Sequence, residues 1–111
     1  MTEGIEQAIA DWVLGKGRNT GSANALARVY LALSRADGVA PPFAQMVRGF
    51  DATRRGWFLG AMEDYAHGRW TGEHAHAIAA AYPAVVEALD AADDAFRIAL
   101  MRIEQRADGG G

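Results

Sequence analysis

The segment from Tyr82 to Arg106 constrains this chain more than any other. On a helix of 3.6 residues per turn, Tyr82, Val85, Val86, Leu89, Phe96, Leu100 and Ile103 fall on one stripe. Pro83 suits the first helical position, where its missing N–H leaves nothing unpaired. Ala107-Asp108-Gly109-Gly110-Gly111 is expected to stop the helix. Such a helix is roughly 35 Å long at about 1.5 Å per residue. The rest of the chain is therefore expected to fold against its apolar face, with Leu89 and Phe96 in the core.

Shorter periodicities precede it. Ile5, Ala8, Ile9, Trp12 and Val13 predict a helix over residues 3–14, with Thr2 as its N-cap. Leu26, Val29, Tyr30 and Leu33 predict a second, capped by Ser22 and ended by Asp37-Gly38. Pro41-Pro42 sets the entry to a short helix carrying Phe43, Met46, Val47 and Phe50. Asp51 caps a helix over 52–67 that turns Phe58, Met62 and Tyr65 to the core, and Thr71 caps one over 72–81 with Ile78. The Tyr82-Pro83 step breaks the chain before the last helix, because a residue preceding proline avoids the α region. No segment alternates as a strand does. The expected fold is all-α: a compact bundle of five or six helices with the long C-terminal helix as its spine. Residues 1–106 form one domain and 107–111 a disordered tail.

The chain has 111 residues and no cysteine, which removes disulfides, cysteine-based zinc sites and thiol nucleophiles. No apolar run reaches the roughly 18 residues of a membrane span, and the N-terminus lacks a signal-peptide pattern; a cytoplasmic location is expected. The net charge of −3 is unevenly distributed. Residues 12–62 hold seven Lys and Arg against two Asp, whereas 63–111 hold four Arg against nine acids. Either the two halves attract each other within the fold, or one of them presents a charged surface to a partner.

Few residues carry recognisable chemistry. Gly15-Lys16-Gly17-Arg18-Asn19-Thr20-Gly21 offers glycines and positive charge ahead of a helix, the ingredients of an anion site. It matches neither nucleotide-binding fingerprint, and a helix precedes it where both require a strand. Trp12-Val13-Leu14-Gly15, followed by Asn19-Thr20-Gly21-Ser22 and a helix, resembles the opening of small prophage-encoded proteins of uncharacterised activity, with Lys16-Gly17-Arg18 as an insertion. The resemblance implies an origin in a mobile element and carries over no functional residue. His67, His74 and His76 lie close in sequence, but His74 and His76 diverge by about 200° on a helix; only Glu63 and His67 have ligand spacing. Ser22 and Ser34 lack a nucleophile context, and Glu63-Asp64 are adjacent and diverge. No enzymatic activity, metal or cofactor is expected.

Two surfaces remain. Arg48, Arg54, Arg55, Trp57, Arg69 and Trp70 form a basic-aromatic cluster suited to nucleic-acid backbone and base stacking. Forced into a helix-turn-helix, the same region would set Glu73 beside phosphates. On the last helix, Glu87, Asp90 and Asp94 form an acidic face that Ile98 and Met101 continue. Gly56 and Gly60 make a smooth strip for a close helix crossing, within the fold or with a partner. The expected function is a non-enzymatic protein-binding module, of the phage or prophage kind that inhibits or adapts a host macromolecular complex in an anti-defence role. Its partner-binding residues are Glu87, Asp90, Asp94 and Met101, and its partner is a protein, a host nucleoprotein complex included. The alternative is a small nucleic-acid-binding regulator using the basic-aromatic surface. No membrane partner is expected, and a homodimer is among the open oligomeric states.

Overall fold

The computed structural model describes residues 4–35 and 48–109, without the side chains of 107–109. Among them are five α-helices and no strand: α1 (Ile5–Leu14), α2 (Gly21–Arg35), α3 (Ala52–Ala66), α4 (Ala75–Ala81) and α5 (Pro83–Gly109). Asp37-Gly38, Pro41-Pro42, Phe43, Met46 and Val47 lie outside the described residues, as do Thr2 and the two final glycines.

Local chemistry sets most boundaries. The Asp51 carboxylate accepts from the Arg54 N–H at 2.9 Å and caps α3 as expected. Pro83 opens α5 immediately after Tyr82 closes α4. Two caps differ from expectation. Thr20, rather than Ser22, receives the Ala23 N–H at 3.1 Å and starts α2 two residues earlier, at Gly21. The Thr71 hydroxyl accepts from the Glu73 N–H at 3.3 Å while donating to Glu6, but no helix starts there: α4 begins only at Ala75. Gly68 and Gly72 both adopt positive φ, which delays α4 until Ala75. At the other end, α5 runs through Ala107 and Asp108 to Gly109, past the expected stop.

The core is built around α2, not around the C-terminal helix. Helix α2 packs against each of the other four, and its Ala23, Leu26, Ala27, Val29, Tyr30 and Leu31 are buried. Its alanines let neighbouring backbones approach, and Tyr30 fills the centre. Ile9 and Val13 of α1, Phe58 and Ala61 of α3, Ile78 of α4 and Leu89 of α5 close over it. On α3 the buried positions are Phe58 and Ala61, while Met62 and Tyr65 face outward. The helix keeps Phe58 inward but is rotated toward the side of Ala61 and the half-buried Trp57.

The largest correction concerns α5. Tyr82, Val85 and Leu89 are buried. Phe96, Leu100 and Ile103, which continue the same stripe, are 53%, 41% and 58% exposed. Every residue from Asp94 to Arg106 is exposed. The helix projects from the body, giving extents of 58 × 29 × 27 Å and a radius of gyration of 15.8 Å. A globular chain of this length has about 13 Å.

Candidate protein-binding surface

Among the described residues two sites stand out, a closed cluster built from side chains remote in sequence and an open face on a single helix. The closed one centres on Glu6, in the first turn of α1. Glu6 sits beside Val13 and Ala10 on the buried face, where a carboxylate must be satisfied or excluded. One carboxylate oxygen accepts from the Tyr30 hydroxyl at 2.9 Å and the Gly72 N–H at 2.7 Å. The other accepts from the Thr71 N–H at 2.8 Å, and the Thr71 hydroxyl lies 3.0 Å from both oxygens. The Tyr30 hydroxyl accepts in turn from the His74 N–H at 2.9 Å. Burial pushes the Glu6 carboxyl up, but the donors from Thr71, Tyr30 and Gly72 outweigh it and hold the group below its ordinary 4.5. Burial pushes the Tyr30 phenol up, and its bond to Glu6 and that group's charge reinforce the shift against the His74 amide. Tyr30 therefore stays a donor and Glu6 an anion. Through these bonds the cluster ties α1, α2 and the loop ahead of α4 together. The sequence signal for Glu6 is a carboxylate set among the apolar residues of α1, sharing a helix face with Ala10 and Val13.

The basic-aromatic residues are mostly engaged within the fold. The Arg54 guanidinium stacks 4.1 Å from the Trp12 ring centre and 4.9 Å from that of Trp57, and the two indoles meet edge to face. Arg55 donates to the Phe50 carbonyl at 3.2 Å. Arg69 pairs with Asp64 at 3.2 Å. Trp70 packs on Tyr30, with ring centres 4.7 Å apart, and its indole N–H donates to Ser34. Arg48 is exposed.

The glycine loop is likewise occupied by its own chemistry. The Gly15 and Gly17 N–H groups donate to the Trp12 carbonyl, that of Arg18 to Gly15 and that of Thr20 to Gly17. A Cβ on Gly17 would fall 2.4 Å from the Trp12 ring, so this glycine is required by packing. Gly60 lies against Ile5, where a Cβ would come within 2.9 Å, whereas Gly56 meets nothing. The pair is thus half of an intramolecular crossing. His67 stands 3.8 Å from Glu63, the spacing its sequence position allows. Among the described residues no three metal-ligating side chains converge.

The open site is α5. At 100° per residue, Glu87, Asp90, Asp94, Ile98 and Met101 fall within an arc of about 80°, and all five are exposed. Arg35 of α2 bonds Asp90 at 2.6 Å and Asp93 at 2.9 Å. This contact joins the basic and acidic halves of the chain. Phe96, Leu100 and Ile103 occupy the roughly opposite face. The helix therefore offers acid near its root and large apolar side chains on two faces beyond it.

No family model matches the chain, nor does any curated protein or solved structure. The role of the surface is argued from its chemistry. No helix among the described residues is long and apolar enough to cross a membrane.

Proposed function

We propose that this protein is a non-enzymatic protein-binding module whose docking element is the outer face of α5. The observation that carries the reading is the joint exposure of Ile98 and Met101 beside Glu87, Asp90 and Asp94 on one face of a projecting helix. Exposed apolar side chains rimmed by charge are the usual composition of a protein contact. The acids set the association rate and its salt dependence, and the apolar pair holds the complex once formed. The partner surface is basic and apolar. A host macromolecular complex is the target class that the prophage resemblance suggests, with inhibition or adaptation as the outcome.

The test uses two variants of the full chain in its native host. Glu87→Lys with Asp94→Lys and Met101→Asp reverses the outer face, and Arg48→Glu with Arg55→Glu reverses the exposed arginines. Circular dichroism checks folding, and capture of a defined host complex is then compared. The outer-face variant is expected to lose capture and the arginine variant to keep it. The opposite result, together with salt-steep DNA retention by the wild type, would replace this reading with the nucleic-acid one.

A further inference from the structure

We propose that the loop ahead of α4, together with Tyr30, is a preformed receptor for a single carboxylate, and that Glu6 is the ligand it holds in cis. The site shares no residue with the α5 surface, so its test and that of the proposed function succeed or fail separately.

The donors select the ligand. The Thr71 and Gly72 N–H groups lie 2.8 and 2.7 Å from the Glu6 oxygens, the Tyr30 hydroxyl 2.9 Å and the Thr71 hydroxyl 3.0 Å. A hydroxyl can also accept, but both of these already do. That of Tyr30 takes the His74 N–H at 2.9 Å, and that of Thr71 takes the Glu73 N–H at 3.3 Å. Their protons are therefore directed at Glu6. The site presents hydrogen-bond donors, and none of them is charged. An anion with two adjacent oxygens satisfies them, whereas an amide would bring N–H donors of its own. The depressed Glu6 carboxyl agrees with this selection, since burial opposes the anion and the donors still prevail.

Helix α1 supplies the ligand, and α2 and α3 hold the receptor. Tyr30 is fully buried on α2. The Trp70 indole donates to Ser34 of α2 at 3.1 Å. The Arg69 N–H donates to the Asp64 carbonyl of α3 at 2.8 Å, and its guanidinium pairs with the Asp64 carboxylate at 3.2 Å. Gly68 and Gly72 turn the chain at positive φ, which glycine adopts without steric cost. A Cβ on Gly72 would lie 3.0 Å from the Ser34 hydroxyl, so this residue is seated against α2. The Ala75 N–H closes the turn on the Gly72 carbonyl at 3.0 Å. The donors are thus placed by contacts that do not pass through α1.

The ligand has a free equivalent. Glu6→Ala removes Cγ, Cδ and both carboxylate oxygens, which together are the heavy atoms of an acetate ion. The space left by the truncation then has the size and the donor set of an acetate site.

The test adds sodium acetate at neutral pH to the wild type and to the full chain carrying Glu6→Ala, and follows thermal melting by circular dichroism. The variant is expected to melt below the wild type. Its melting temperature is expected to rise with acetate as ligand binds the folded state, more than with the shorter formate or the longer propionate. Acetamide, similar in size but neutral, is expected to leave it unchanged. The wild type is expected to respond to acetate only as it does to sodium chloride of equal ionic strength. An equal rise in the wild type marks a general salt effect and overturns the proposal. A folded Glu6→Ala that acetate does not stabilise also overturns it, because the donors then stand in place only around the covalent ligand. A second measurement is independent of whether the alanine variant folds. In Glu6→Gln, which fills the same space, Trp70 fluorescence and amide exchange at Gly68, Arg69 and Trp70 are expected to match the wild type. A loop that loosens throughout shows that α1 builds the receptor, and overturns the proposal.

Discussion

The two halves of α5 carry the same pattern and meet opposite fates. Tyr82, Leu89, Phe96 and Ile103 recur every seven residues on one face. The first two are buried at 5% and 3% exposure, and the last two are half or more exposed. The difference lies opposite the helix. Along the proximal half stand α2 and α4, and the α2 contact ends where Arg35 clasps Asp90 and Asp93. Beyond that clasp every residue through Arg106 is exposed. A hydrophobic period thus reports which face of a helix is meant to be covered, and not whether this chain alone covers it.

The strongest attempt to break the contrast is a pair of truncations. Leu89→Ala is expected to cost roughly 2–5 kcal/mol by leaving a buried cavity. Phe96→Ala is expected to stay within about 0.5 kcal/mol, the range of a surface change. Both are read from urea titrations at the lowest workable concentration, where self-association contributes nothing. Equal losses would mean that the distal half is packed after all.

The closed cluster under the body offers the next test. Glu6→Gln is expected to destabilise by about 1–3 kcal/mol, since it puts an amide among donors arranged for an anion. Because folding lowers the carboxyl below its ordinary 4.5, its contribution is complete above that pH and fades as pH falls through the lower, folded value. The gap between wild type and variant should therefore narrow on acidification below pH 4.5. A gap that does not change with pH would show that Glu6 acts through packing alone.

Glycines sharpen the same division between covered and open surface. Gly17→Ala pushes a methyl group into the Trp12 ring and is expected to cost about 1–3 kcal/mol. Gly56→Ala enters open space on a helix and is expected to stabilise by about 0.5–1 kcal/mol. Thermal melts of the two should shift in opposite directions.

The smallest effect belongs to the clasp itself. Arg35→Ala is expected to cost about 0.2–1 kcal/mol, as a partly exposed ion pair does. Its signature is local: amide exchange around Asp90 and Asp93 should quicken while Leu89 stays protected. Quickening that spreads through α2 would move the boundary of the body inward.

Much of the architecture is legible in the sequence. The helical class, the break at Tyr82-Pro83, the Asp51 cap and the shared face of Glu87, Asp90, Asp94, Ile98 and Met101 all follow from spacing and local dihedral preference. The cap at Thr20 was missed because Ser22 competes with it two residues on, and only the turn geometry selects between them. Thr71 accepts the Glu73 N–H as a cap would, but the positive φ of Gly72 interrupts the turn before a helix forms, and the Thr71 bond to Glu6, 65 residues away, is contained in no local pattern. The outward turn of Met62 and Tyr65 was missed for a related reason: with Gly60 set against Ile5, the orientation of α3 follows the closest backbone approach rather than the largest side chains.

What the chain alone determined, then, is where helices form and which faces are apolar, since periodicity and capping act within a few residues. Tertiary structure decided that α2 and not α5 is the centre. It also decided that Glu6 is a buried anchor, that the glycine loop is engaged by Trp12, and that the apolar stripe of α5 runs past the end of the body. Each of these depends on a second element arriving opposite the first, and burial is a property of the pair.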